Sequence, residues 1–92
     1  MPPASVVLEL SVRNHPGTMS HLTGLFARRA FNLEAILCVP VGDGATSRIL
    51  LLVTPDSRLE QVERQLTKLH DVLAVRHRHD LSAATFLHLA QV

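Results

Sequence analysis

Between Leu8 and Ile36 the apolar residues change their period twice, and that change restricts the chain more than any other feature. Val6, Leu8, Leu10 and Val12 alternate with Val7, Glu9, Ser11 and Arg13, the period of two that marks a strand with one buried face. Asn14-His15-Pro16-Gly17 then interrupts the run. Pro16 presets its own φ, Gly17 accepts a positive φ, and the Asn14 amide can bond the backbone of its own turn, so a tight turn is expected. From Thr18 the period is helical, with Leu22, Leu25, Phe26 and Arg29 or Ala30 on one stripe and Ser20, His21 and Arg28 facing outward. This helix is expected to end near Phe31. Gly24 in its middle costs about 1 kcal/mol of propensity relative to Ala, and reads either as a close approach to a sheet or partner or as a tolerated surface glycine.

A second strand, about Asn32 to Val41, sets Leu33, Ala35, Leu37, Val39 and Val41 against Glu34, Ile36, Cys38 and Pro40. Gly42-Asp43-Gly44 supplies a hairpin, and a third strand, about Thr46 to Thr54, places Ile49, Leu51 and Val53 opposite Leu50 and Leu52. Neither strand has a wholly polar face. Pro55-Asp56-Ser57 stops the third strand, and Ser57 and Glu60 have capping-box spacing at the head of a helix striped by Leu59, Val62, Leu66 and Leu69. A fourth strand runs from about Val72 to His79. Residues 1–80 are expected to form one domain, and the tail 81–92, with Leu81, Phe86, Leu87, Leu89 and Val92 in no clean period, has no structure assigned.

The order is βαββαβ, the α+β, ferredoxin-like arrangement: a four-stranded antiparallel sheet with two helices on one face. Its usual strand order leaves the second and fourth strands at the edges, and a long apolar edge strand invites pairing. Ile36, Cys38, Leu50 and Leu52 are expected on the face away from the helices, where they would form an apolar patch that calls for a protein partner.

Several function classes are disfavoured. A formal charge of +1 leaves no electrostatic footprint for nucleic acid or an anionic membrane. An RNA-binding βαββαβ module, the rival of a different class, needs aromatic residues on its central strands, and the three Phe fall in the first helix, at its end, or in the tail. The longest uninterrupted apolar run, Ile49 to Val53, is far short of a membrane span, and Met1-Pro2-Pro3 lacks signal-peptide character, so a cytoplasmic location is expected. Cys38 is the single cysteine, which rules out an internal disulfide or thiolate cluster. His77 and His79 could form half of a metal site, but a solvated strand end explains them, and no metal site is assigned. No nucleophile motif or supporting carboxylate pair is present, so no catalytic residue is assigned. Arg28 and Arg29 read as a partner contact or as cations favoured at a helix C-terminus.

The turn is the candidate site. At the mouth of a helix, unpaired backbone N–H groups and the positive dipole end suit a carboxylate, and Gly17 allows close approach. Asn14 offers both a donor and an acceptor, the two functions that grip an amino acid's carboxylate and ammonium, or else it serves only its own turn. Arg13-Asn14-His15-Pro16-Gly17, followed by LTGLFARRAFN from Leu22 to Asn32, resembles an ACT domain, and within that family the short regulatory subunits of acetohydroxyacid synthase, also called acetolactate synthase. The likeness runs through roughly residues 6 to 79 and is most specific from Leu8 to Val41.

The resemblance implies the ferredoxin-like fold reached above, a homodimer joined through edge strands, and amino acids bound at its interface. It places the effector loop on Asn14, His15, Pro16, Gly17, Thr18 and Met19. Asn32 is to face the effector from the other subunit, with Leu33 and Ala35 lining the side-chain pocket, although close relatives would be expected to carry glycine where Ala35 stands. It further implies valine as a feedback inhibitor of a large catalytic subunit in branched-chain amino-acid biosynthesis. That subunit would hold thiamine diphosphate, Mg and FAD, and this chain would hold no cofactor. A stand-alone ACT sensor of another amino acid is the alternative within the family.

Overall fold

Strand β1, Val6–Arg13, is the axis of the sheet, pairing antiparallel with β3, Thr46–Val53, on one side and with β4, Val72–His77, on the other. Strand β2, Leu33–Val41, completes the order β2-β3-β1-β4, so β2 and β4 are the edges, as the ferredoxin-like reading requires. This computed structural model describes residues 5–91. Helices α1, Thr18–Arg28, and α2, Leu59–Thr67, lie on one face of the sheet, and the core forms between them and it. Leu8, Leu10 and Val12 of β1 meet Ile49, Leu51 and Val53 of β3, Leu22, Leu25 and Phe26 of α1, and Val62 and Leu66 of α2. Full burial of each such side chain contributes about 1.5–3 kcal/mol. Phe26 and Phe31 meet edge to face with centroids 6.0 Å apart, so two of the three aromatic rings belong to this core.

Helix α1 starts and stops by backbone geometry. Gly17 at its N-cap has φ +95°, a value that glycine alone adopts without strain. At the other end Ala30 has φ +50°, and Phe31 N–H reaches back to the Phe26 carbonyl at 3.0 Å, the 6→1 bond of a Schellman motif. Arg58 seals that terminus by donating to the Arg29 and Ala30 carbonyls at 2.5 and 3.3 Å, with its guanidinium 5.4 Å from the Phe31 ring centroid. A Cβ at Gly24 would meet only the flexible end of Arg28, at 3.1 Å, so this glycine marks no close backbone approach to the sheet.

Two expectations are corrected, and the tail that had no structure assigned is found to be helical. First, Ser57 and Glu60 form no capping box: α2 begins one residue later with Arg58 at its N-cap and no side-chain cap, and Asp56 Oδ1 accepts from Arg58 N–H at 2.7 Å instead. Second, the β2–β3 register shifts between Leu33 and Ala35, which moves the rest of β2 to the opposite face. Leu33 pairs with Val53 on the helix face, Ala35 pairs with Leu52 on the open face, and Ile36 and Cys38 oppose the core residues Leu51 and Ile49. Ile36 and Cys38 therefore do not share the open face with Leu50 and Leu52. One extra residue in a strand reverses every side chain that follows. The open-face patch consists instead of Leu37, Val39, Val41 and Leu50, beside a cavity of about 210 Å³.

The helix of the tail, α3, Ala83–Ala90, is capped by Ser82, whose hydroxyl accepts from Ala84 N–H at 3.3 Å. Just before it, the Arg78 guanidinium bonds Glu9 of β1 at 2.5 Å and Asp80 at 2.6 Å, tying the chain that leaves β4 to the central strand. No α3 residue is fully buried, and Leu87 and Leu89 are about half exposed.

Candidate functional site

The Asn14–Gly17 turn is held from three directions. Its own strand continues into it, and Asn14 ties it to the β2–β3 hairpin by donating twice: N–H to the Ala45 carbonyl at 3.0 Å and Nδ2 to the Gly44 carbonyl at 2.8 Å. From the other side, Arg13 N–H donates to the Asp71 carbonyl at 2.8 Å and the Arg13 guanidinium to the His70 carbonyl at 2.9 Å. Thr18 Oγ1 closes the turn on the Arg13 carbonyl at 3.0 Å. The Asn14 side chain thus braces neighbouring strands rather than capping its own turn, and its Oδ1 stays open to a donor among the described residues. No side chain caps α1, so amides of its first turn also remain available to an anion.

Beside the turn lies a cavity of about 80 Å³ whose lining includes Asn14, His15, Thr18, Met19, Cys38 and Ser47. A complete small-molecule site usually encloses about 300 Å³ or more, so this one holds only part of a ligand. A larger cleft of about 260 Å³ lies elsewhere, between α2 and β4, where Glu60 and Glu63 offset Arg64 and Arg76 and no single charge converges. At its edge His77 stacks on His79 with centroids 4.1 Å apart, and no cluster of three or more potential metal ligands forms among the described residues.

Asp71 supports the turn from below. Its side chain is 4% exposed, and Oδ1 lies 2.5 Å from His15 Nε2, while Oδ2 lies 3.7 Å from His21 Nδ1. Burial pushes the Asp71 carboxyl up, but the His15 contact and the charges of His15 and His70 outweigh it and leave the group below the ordinary aspartate value. The His15 imidazole is raised above its ordinary value, first by its contact with the Pro16 carbonyl and then by Asp71. Sequence inspection singles out neither Asp71 nor the cavity role of Cys38. An acid between the apolar Leu69 and Val72 is a weak signal, and only the fold brings it under a turn that lies more than fifty residues earlier.

The remaining residues expected at the site sit apart within one chain. Pro16 and Gly17 shape the turn without lining the cavity. Asn32 lies at the opposite end of β2, where Nδ2 donates to Thr54 Oγ1 at 3.1 Å, and Thr54 Oγ1 donates to Glu34 at 2.6 Å. These contacts, with Ser5, hold the Glu34 carboxyl below its ordinary value. Leu33 faces the helices and packs against the core, whereas Ala35 faces the open side.

Residues 8–74 match the family described as the AHAS small subunit-like ACT domain. The chain is 60% identical over 72 residues to the acetolactate synthase isozyme 1 small subunit of Escherichia coli, a match that spans 78% of this chain and 75% of that protein. It is 39% identical over 70 residues to the isozyme 3 small subunit of the same organism, covering 75% of this chain but 43% of the relative. Among solved structures, the acetolactate synthase small subunit of Thermotoga maritima superposes with a TM-score of 0.74 at 33% identity, covering 84% of this chain and 48% of that one. The ACT domain of a Chlorobium tepidum GTP pyrophosphokinase shares the fold, with a TM-score of 0.64 at 17% identity.

Proposed function

The chain belongs to the AHAS small subunit-like ACT family, and from that premise we propose that it is a non-catalytic regulatory subunit that binds valine and imposes feedback inhibition on a large acetolactate synthase subunit. The observation that carries this reading is the incomplete cavity at the turn, open beside the exposed edge strand β2. Two chains joined antiparallel along β2 would bring the Asn32 end of one strand next to the Cys38 end, and hence the turn, of the other. The effector's carboxylate would meet the α1 amides and its ammonium the free Oδ1 of Asn14. Asn32 and Leu33 of the second copy would close the pocket. In this arrangement Ala35, on the open face, supports the sheet.

The large subunit carries the chemistry in this proposal, with thiamine diphosphate, Mg and FAD as its own cofactors, and the assembly is cytoplasmic. Effector binding would favour one arrangement of the dimer, and coupling of this kind is typically about 1–3 kcal/mol. The test is the activity of the large subunit with and without this chain, each with and without valine. Inhibition by valine that requires this chain, and that Asn14→Ala relieves, is the expected result. A large subunit whose activity and valine response ignore the chain would overturn the reading. An apolar pocket also predicts selectivity, because each missing methylene costs about 1–3 kcal/mol; calorimetric titration should find alanine much weaker than valine.

A further inference from the structure

Nothing in the effector reading uses Asp71, yet it is the buried carboxylate on which the turn rests. The ring of His15 lies against two oxygens at once: Nδ1 is 2.5 Å from the Pro16 carbonyl oxygen and Nε2 is 2.5 Å from Asp71 Oδ1. Asp71 Oδ1 is buried and has no hydrogen-bond partner among the described residues, so its contact with the ring is that of an ion pair. A neutral ring would leave that buried carboxylate without a counter-charge, whereas imidazolium supplies one and carries an N–H on each nitrogen.

We propose that Asp71 is a positioning residue for the effector site: by holding His15 as an imidazolium it fixes the turn in its binding shape and sets a positive charge beside the effector's carboxylate. Effector affinity then follows the protonation of His15. The proposal rests on the regulatory reading above. The other groups that face the pair are consistent with it. His21 Nδ1 of α1 lies 3.7 Å from Asp71 Oδ2, the charge of His70 before β4 favours the ionised carboxylate, and Arg13 of β1 opposes the charge on His15 without displacing either oxygen. The Asp71 carbonyl also accepts from Arg13 N–H at the end of β1, so the residue is anchored to the central strand.

Two measurements on the full chain test this. Nuclear magnetic resonance titration of the His15 ring should give a midpoint above the ordinary 6.5, and Asp71→Asn should lower it. Calorimetric titration with valine across the same range should show affinity falling about fivefold or more, the lower end of typical coupling, as pH rises through the wild-type midpoint. In Asp71→Asn that fall should move to lower pH with the ring. A purely structural role would weaken binding equally at every pH and leave the His15 midpoint in place, and that result would overturn the proposal. Should Asp71→Asn fail to fold, His15→Gln, at a half-exposed position, is expected to bind valine weakly with a flat profile; a profile that still slopes like the wild type would overturn it. No valine binding by the wild type at any pH would overturn the effector reading and this proposal together, whereas binding with an unshifted His15 midpoint would overturn this proposal alone.

Discussion

Ala30 and Gly17 occupy the same left-handed region of backbone space with opposite suitability, and each yields a prediction about one residue. Ala30 holds φ +50° at the end of α1 because the Schellman bond and Arg58 impose it. A side chain there costs about 1–2 kcal/mol relative to glycine, so Ala30→Gly should stabilise the fold by about 1 kcal/mol. Gly17→Ala should do the reverse, by about 1–2 kcal/mol. A new Cβ at Gly17 would find its nearest neighbour 3.9 Å away, so the loss comes from backbone strain and not from a clash. Urea denaturation of both variants beside the wild type measures the two shifts, and equal signs would contradict the account. The turn chemistry of Asn14 to Gly17 was legible because proline and glycine constrain φ locally. The partner of His15 was not, since it comes from just before the neighbouring strand β4, more than fifty residues along the chain.

At the scale of elements, β2 is decisive because its register assigns its side chains to faces. The shift at Glu34 puts Leu37, Val39 and Val41 beside Leu50 on the open face, and leaves Ile36 and Cys38 on the helix side of an unpaired edge. The two surfaces then make separable predictions. A charge at the edge, Ile36→Lys, should weaken the proposed pairing of two β2 strands and shift the chain toward monomer in sedimentation, with the secondary structure unchanged. A charge on the open face, Leu50→Glu, should leave the proposed dimer intact and reduce capture of the large subunit, the partner suggested for this patch. The reverse assignment of the two effects would place the interfaces on the wrong faces. Alternation along β2 is visible in the sequence, but an inserted residue that reverses it leaves no mark of its own. The helices α1 and α2 were readable from their stripes, and the start of α2 was misjudged because the Asp56 turn took over the role expected of Ser57.

For the whole molecule, the ionisable groups tied to folded contacts bound the pH range of greatest stability. The carboxyls of Glu34, Asp56, Asp71 and Asp80 are held below their ordinary values, Asp80 at about 2, by hydroxyl, guanidinium and imidazole partners. What they contribute is present above the ordinary carboxylate values of 3.8 and 4.5 and is lost as pH falls through the lowered ones. His15 is raised, so its contribution is complete below 6.5 and is lost as pH rises through its folded value. The Tm should therefore be highest between about pH 4.5 and 6.5, and scanning calorimetry across pH 3 to 9 would show it. By itself the sequence determined the kinds of element, their order and the tight turn from Asn14 to Gly17, because periodicity, proline and glycine act over a few residues. Only the tertiary structure decided which face each β2 side chain serves, that the tail forms α3, and that Asp71 lies buried under His15. Those outcomes depend on strand register and on charges brought together from distant parts of the chain, and neither is encoded in local spacing.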